Sequence, residues 1–140
     1  MVIGTDTAWV LLSSGLIFLW ALVLGVWKWQ AMTTSPDGSA HPYVDIAHRA
    51  ALLYSFATAL IAAFVELSGW PTAVNSAAAA TIVLLFVVTI ANYVRLGLTR
   101  ETDNQMRNPP SAMRFVLAAL IIGQIGGFTV LLVGFATAHL

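Results

Sequence analysis

The stretch DIAHRAALLYSFATALIAAFVEL, from Asp45 to Leu67, decides the fold. After an acid, a histidine and an arginine, it continues with about 20 apolar or small residues, which is enough for an α-helix to cross the hydrocarbon core of a bilayer. The stretch therefore predicts a membrane-spanning helix with a polar group of residues at its start.

The composition of the whole chain indicates the same environment. Of 140 residues, 59% are hydrophobic and only 9% are charged, whereas a soluble domain carries about 25% charged residues. So few charges cannot coat a water-facing surface, and we expect the chain to lie in a lipid bilayer. The formal net charge is zero, and the sequence lacks the basic patch that nucleic-acid binding needs. The chain has no cysteine, which excludes disulfides, thiolate metal sites and cysteine nucleophiles.

Four segments have the length and composition of membrane spans: residues 8–27, 47–70, 73–98 and 114–140. The connections between them carry turn or helix-breaking residues: Pro36-Asp37-Gly38, Gly69-Trp70-Pro71 and Pro109-Pro110. The first span has no positive segment before it and should be retained, unlike a signal peptide. The predicted fold is all-α, an integral membrane four-helix bundle in a single transmembrane domain over residues 1–140.

The basic residues predict the orientation of the bundle. All six flank the first and third connections: Lys28, Arg49, Arg95, Arg100, Arg107 and Arg114. Because Lys and Arg are enriched in cytoplasmic loops, both charged loops should be cytoplasmic and both termini should face outward. We therefore expect a multi-pass protein of the plasma or bacterial inner membrane.

Polar and small residues follow one stripe of the second span at helical spacing: His48, Ser55, Ala59, Ala62 and Glu66. Residues of the third span that share a face are Asn75, Thr89 and Tyr93. Such faces should point into a bundle, because lipid leaves polar groups unsatisfied. A short link makes these spans antiparallel neighbours, so His48 and Tyr93 should lie at similar depth, close to Asn92 and Arg95.

Several of these residues can be interpreted in more than one way. His48 can ligate iron, move a proton, or hold a structural hydrogen bond at the interface. Glu66 can relay protons or simply reach the lipid headgroups.

On the fourth span, Gln124 beside Gly123 and Gly127 predicts a packing seam with an interhelical hydrogen bond. A three-histidine zinc site is not expected, since Pro42 should interrupt any helix that joins His41 to His48, and His139 falls on the opposite side.

Ala47-His48 at the start of the second span and Ala91-Asn92-Tyr93 near the end of the third resemble the family of styrene oxide isomerases and hydroxylaminobenzene mutases. These are small membrane isomerases with four short spans, and the likeness covers about half of this chain. The resemblance implies that His48 is the axial ligand of haem b, bound between neighbouring subunits. It also implies that ferric iron acts as a Lewis acid on an epoxide oxygen and that Tyr93 positions the substrate. Where the family has an asparagine soon after the histidine, this chain has Tyr54.

The expected function is thus a haem-b-dependent isomerase that rearranges an epoxide to an aldehyde or ketone. Its expected catalytic residues are Tyr93, Tyr54 and Asn92. Arg95 or Arg100 would pair with a haem propionate. The expected partners are a small apolar substrate, the lipid bilayer and further copies of the chain, as a homotrimer or other homo-oligomer. The alternatives are a non-catalytic haem-binding protein and a cofactor-free accessory membrane subunit.

Overall fold

A computed structural model describes residues 2–140 of the chain. Those residues form no strand and four long α-helices: α1 (Thr5–Thr33), α2 (Pro42–Glu66), α3 (Thr72–Thr99) and α4 (Met113–His139). Each helix is long and apolar enough to cross a membrane. The predicted all-α architecture with four apolar spans is confirmed.

The helix bounds differ from the prediction by up to six residues: α1 ends at Thr33 rather than at residue 27, and α2 begins at Pro42 rather than at residue 47. Pro42 begins α2 five residues before the predicted start, and His41 lies outside the helix, so the prediction that His41 and His48 share no helix is confirmed. Proline is tolerated at this position because the first helical N–H needs no partner. His41 precedes the helix as its N-cap, and its Nδ1 accepts a hydrogen bond of 3.3 Å from Tyr43 N. His48 consequently lies about two turns inside α2 rather than at its first turn.

The helices pack chiefly on their neighbours along the chain. α1 contacts α2 most extensively, α2 contacts α3, and α3 contacts α4, while α1 and α4 do not touch within the described residues. The stripe predicted for α2 faces this core, with Ser55 and Ala62 buried and His48 and Ala59 half-buried. α4 is peripheral, since Leu131 and Gly134 are its fully buried residues.

The bundle has two chemically different ends. We call the end that carries the six basic residues the basic end, and the end that carries Asp6 and Glu66 the acidic end. At the basic end Lys28 Nζ of α1 lies 2.5 Å from Asp45 Oδ1 of α2. The α3–α4 loop is held there as well, because Gln105 N donates a hydrogen bond of 2.7 Å to the hydroxyl of Tyr43.

α4 is attached at the acidic end and in the middle of the bundle. The predicted glycine seam is confirmed: Cβ atoms added at Gly123 and Gly127 would meet Leu85 and Ile82 of α3. The interhelical hydrogen bond predicted for Gln124 is wrong, since its side chain makes none within residues 2–140. Nearer the acidic end, the ring of Phe64 packs edge-to-face on those of Phe128 and Phe135, at centroid distances of 5.2 and 5.4 Å. Towards the basic end α4 separates from the other helices, and residues 114–119 are all exposed.

Candidate functional site

His48 is held against α1 by a single hydrogen bond. Its Nδ1 lies 2.9 Å from the carbonyl oxygen of Ala21. A carbonyl can only accept, so Nδ1 carries the proton, and in the neutral ring Nε2 then presents a lone pair. Nε2 makes no hydrogen bond within residues 2–140. A bond from Nδ1–H to a backbone carbonyl is the usual orienting contact of a metal-ligating histidine.

Gly25 makes room for the His48 ring. It lies one turn after Ala21 on α1, and a Cβ added to it would lie 2.9 Å from Cε1 and 3.3 Å from Nδ1 of His48. Any larger residue would therefore displace the imidazole. Sequence reasoning missed Gly25, although a glycine inside an apolar helix costs about 1 kcal/mol relative to alanine and so suggests a packing reason.

Tyr54 and Tyr93 line a cleft of about 210 Å³ between α2 and α3. Its other walls are Ile46, Arg49, Ala50 and Leu53. Tyr54 is stacked on Phe86 with 4.2 Å between ring centroids, and Tyr93 is stacked on Tyr43 at 5.9 Å. These contacts fix both rings, and neither the Tyr54 nor the Tyr93 hydroxyl has a hydrogen-bond partner within residues 2–140. The cleft is thus mainly apolar, with two fixed and unused hydroxyl groups and the charged Arg49 on one wall.

His48 does not line this cleft. On α2 the cleft residues Arg49, Ala50 and Leu53 are rotated about 100–200° from His48, because each residue advances the helix by about 100°. The predicted similarity in depth is confirmed, since Tyr93 shares the cleft with Arg49, the residue after His48. Within one chain, however, the imidazole turns towards α1 while the hydroxyl groups lie on another side of α2.

The other predicted site residues lie beside the α3–α4 loop. Asn92 Nδ2 donates to Gln105 Oε1 over 3.0 Å, and Arg95 forms an ion pair of 2.6 Å with Glu101. Asn92 and Arg95 line a polar cleft of about 580 Å³ beneath this loop. Arg100 ends α3 with a left-handed backbone (φ 51°) and is exposed. Asn92 and Arg95 are therefore engaged by the loop, whereas Arg100 forms no ion pair within residues 2–140.

Glu66 receives the start of α1. Its Oε2 accepts hydrogen bonds from Gly4 N at 3.1 Å and from the Thr7 hydroxyl at 2.5 Å. The carboxylate thus satisfies donors at a helix N-terminus and complements its partial positive charge. This contact gives Glu66 a structural task at the acidic end, far from His48 and the tyrosine cleft.

The donor set for a metal is small. In the part of the chain that the structure describes, no three His, Asp or Glu side chains come together. Each histidine within residues 2–140 therefore lacks the further ligands that a bare zinc ion needs, and the lone imidazole of His48 suits a cofactor that brings its own equatorial ligands.

Comparison with families of known proteins, with curated proteins and with solved structures finds no match to this chain. The resemblance to the membrane isomerases accordingly rests on the short motifs around His48 and Tyr93. The function must be argued from the geometry of these residues.

Proposed function

We propose that this chain is a haem-b-binding membrane protein with His48 as the axial ligand, and that it rearranges a small apolar epoxide to an aldehyde or ketone. One observation carries the ligand assignment, namely the hydrogen bond from His48 Nδ1 to the Ala21 carbonyl. It leaves Nε2 as the free, unprotonated nitrogen of a half-buried imidazole.

His48 fits the role of an axial ligand, but the side chains of one chain do not enclose a porphyrin. None of the clefts described above includes His48. The α1–α2 pair does expose large apolar side chains, among them Phe18, Leu22 and Phe56. A neighbouring copy that covers this surface would enclose the cofactor, which supports a homo-oligomer; the resemblance favours a trimer. Exposed Arg100 is freer than Arg95 to meet a propionate, because Arg95 is paired with Glu101.

When bound, ferric haem would supply a Lewis acid for the epoxide oxygen. The chain's own contribution is the tyrosine cleft. The hydroxyls of Tyr54 and Tyr93 are fixed donors that can hold the substrate oxygen, and the apolar walls keep out water that would hydrolyse an epoxide to a diol. Since His48 lies on another side of α2, a site that uses both combines His48 of one copy with the tyrosines of its neighbour. Asn92 would act on this site as a positioning residue, through its contact with Gln105.

The proposed orientation places the basic end in the cytoplasm. The six basic residues belong to this end, and Lys and Arg are retained on the cytoplasmic side during insertion. The N-terminus, the α2–α3 link and the C-terminus then face outward, and the site lies in the cytoplasmic half of a plasma or bacterial inner membrane.

A cofactor-free accessory subunit is the second candidate, and the same hydrogen bond favours it. The bond from His48 to Ala21 joins α1 to α2, so the side chain has a structural use without iron. In that case substitution of His48 would change stability and nothing else.

An absorption spectrum of the purified protein tests the proposal. We expect a Soret band in the wild type that is lost in His48→Ala and kept in His139→Ala, a matched histidine change at the acidic end. Conversion of an aryl epoxide to a carbonyl compound should then fall by about 10²-fold in Tyr93→Phe, as when one donor to a developing oxyanion is removed. A colourless wild type from haem-replete cells would contradict the haem and isomerase proposals together and leave the accessory subunit.

A further inference from the structure

The faces of α2 and α4 that meet at Phe64 are both exposed towards the basic end. On α2 the residues Ile46, Ala50, Leu53 and Phe64 share one face at helical spacing. Phe64 is covered by α4, whereas Leu53 is 68% exposed. Because residues 114–119 of α4 are exposed as well, the two helices diverge between Phe64 and the basic end. We call the space between these two exposed faces the groove; Leu53 borders both the groove and the cleft of Tyr54 and Tyr93.

Gln124 of α4 faces this groove at nearly the depth of Tyr54. It precedes Phe128 by four residues and so shares the side of α4 that contacts Phe64. α2 and α4 run parallel, and Phe64 packs between Phe128 and Phe135. Counting back along both helices at 1.5 Å per residue places Gln124 within about one turn of the depth of Tyr54.

Three polar side chains of this region have no partner within residues 2–140: Tyr54, Tyr93 and Gln124. Elsewhere in the spans, hydroxyl groups bond to their own helix, as Thr58 does to Tyr54 O at 2.7 Å and Thr89 to Leu85 O at 2.8 Å. Polar groups in the hydrocarbon layer are costly when unpaired. The groove therefore calls for a hydrogen-bonding occupant.

We propose that the groove is a lateral entrance from the bilayer to the tyrosine cleft, and that its occupant is a small apolar molecule with one hydrogen-bond-accepting oxygen. The two phenols and the Gln124 carboxamide all offer donors, which select an ether or carbonyl oxygen. The cleft of about 210 Å³ is smaller than the sites of drug-sized ligands. The assignment rests on the proposed function in treating the cleft as a substrate site, but its test does not use iron.

The test is photolabelling of the full chain in lipid nanodiscs with a diazirine derivative of acetophenone. Labelled residues are mapped by mass spectrometry in the wild type and in His48→Ala, and an unlabelled aryl epoxide serves as competitor. We expect labels on the faces of α2 and α4 that line the groove, around residues 46–54 and 117–124. Gln124→Leu should weaken the apparent affinity roughly two- to tenfold, the effect of one hydrogen bond. Thr129→Val, an exposed change on the same helix, should leave it unchanged.

A second pair of variants tests the entrance without removing a polar group. Ala50→Leu fills the cleft and should abolish labelling, whereas Ala63→Leu, on the exposed side of α2, should not. Equal labelling of both variants would overturn the proposal, and so would wild-type affinity in Gln124→Leu.

The chain has no cysteine, so Leu53→Cys adds a further check. Efficient disulfide formation between copies would mean that a neighbouring helix fills the groove, which also overturns the proposal. A colourless protein that is still labelled in the groove would refute the haem and isomerase proposals and leave the lateral entrance supported.

Discussion

The acidic end and the basic half of the bundle differ in how many of their polar groups have hydrogen-bond partners within residues 2–140. At the acidic end Glu66 receives two donors of α1, Trp70 Nε1 donates to Val130 O over 2.9 Å, and His139 Nε2 lies 2.8 Å from Leu67 O. One buried atom there, Oδ1 of Asn75, has no partner. These bonds join α1, α2 and α4, and Asn75 Nδ2 of α3 donates to Val65 O of α2 over 3.4 Å, so this end supplies stability.

In the basic half, ion pairs and loop contacts fix the surface, but three groups farther inside remain unused. His48 Nε2 and the hydroxyls of Tyr54 and Tyr93 are oriented by Ala21, Phe86 and Tyr43, but they bind nothing within residues 2–140. Pre-orientation without a partner is what a binding site needs, because the ligand then pays little of the ordering entropy. The comparison teaches that a chain this small can stabilise one end in order to leave the other open.

The largest expected effect comes from Gly25→Val. The new side chain would meet the His48 ring and break its bond to Ala21, and loss of such an orienting contact weakens metal binding about 10- to 100-fold. Gly15→Val is the matched control on α1, because a Cβ there meets nothing within 4 Å. Haem titration followed at the Soret band measures both variants. Equal haem affinities would show that His48 does not need its place on α1.

The next effect concerns the acidic end. In Gly134→Ala the new Cβ would overlap the hydroxyl of Ser68 and the ring of Trp70. Such overpacking should lower the free energy of unfolding by about 1–3 kcal/mol. Gly126→Ala, which meets nothing within 4 Å, should be neutral or slightly stabilising. Thermal unfolding in detergent measures the difference, and photolabelling of the tyrosine cleft should be unchanged in both. A loss of labelling in Gly134→Ala would break the division between the two ends.

The smallest effect is expected for Glu66. Glu66→Ala leaves the donors of Gly4 and Thr7 to lipid headgroups or water, and it should lower the melting temperature slightly, because the site is exposed. Glu66→Gln keeps an acceptor oxygen and should restore most of the loss. If Glu66 relays protons, Glu66→Gln should reduce activity as much as Glu66→Ala does. Neither variant should then change the melting temperature.

The sequence predicts the spans well because a run of about 20 apolar residues has few other outcomes. The bounds of α3 and α4 differ from the prediction by one residue. α2 begins five residues before the predicted start at residue 47, because its polar first turn does not contribute to an apolar run, and Pro42 occupies the first helical position.

The level of the candidate site along the bundle axis was predicted correctly, but the sides of α2 on which its residues lie were not. Antiparallel pairing alone places Tyr93 at the level of His48, as found. Which helix covers each face of α2 depends on tertiary packing, and one step of about 100° separates His48, turned to α1, from Arg49, in the tyrosine cleft. Gly15 and Gly25 illustrate the same limit, since both are glycines inside α1 and only the packing of α2 distinguishes them.

The neighbour-to-neighbour packing of the helices has a consequence for biogenesis. A ribosome delivers α1 and α2 first, and their contacts, such as Ser14 Oγ to Ser55 O at 2.9 Å, need nothing that is made later. At about 5–20 residues per second, this hairpin has seconds in the membrane before α4 is translated. α4 then docks on a surface that α2 and α3 have already built, and the order of synthesis is also the order of assembly.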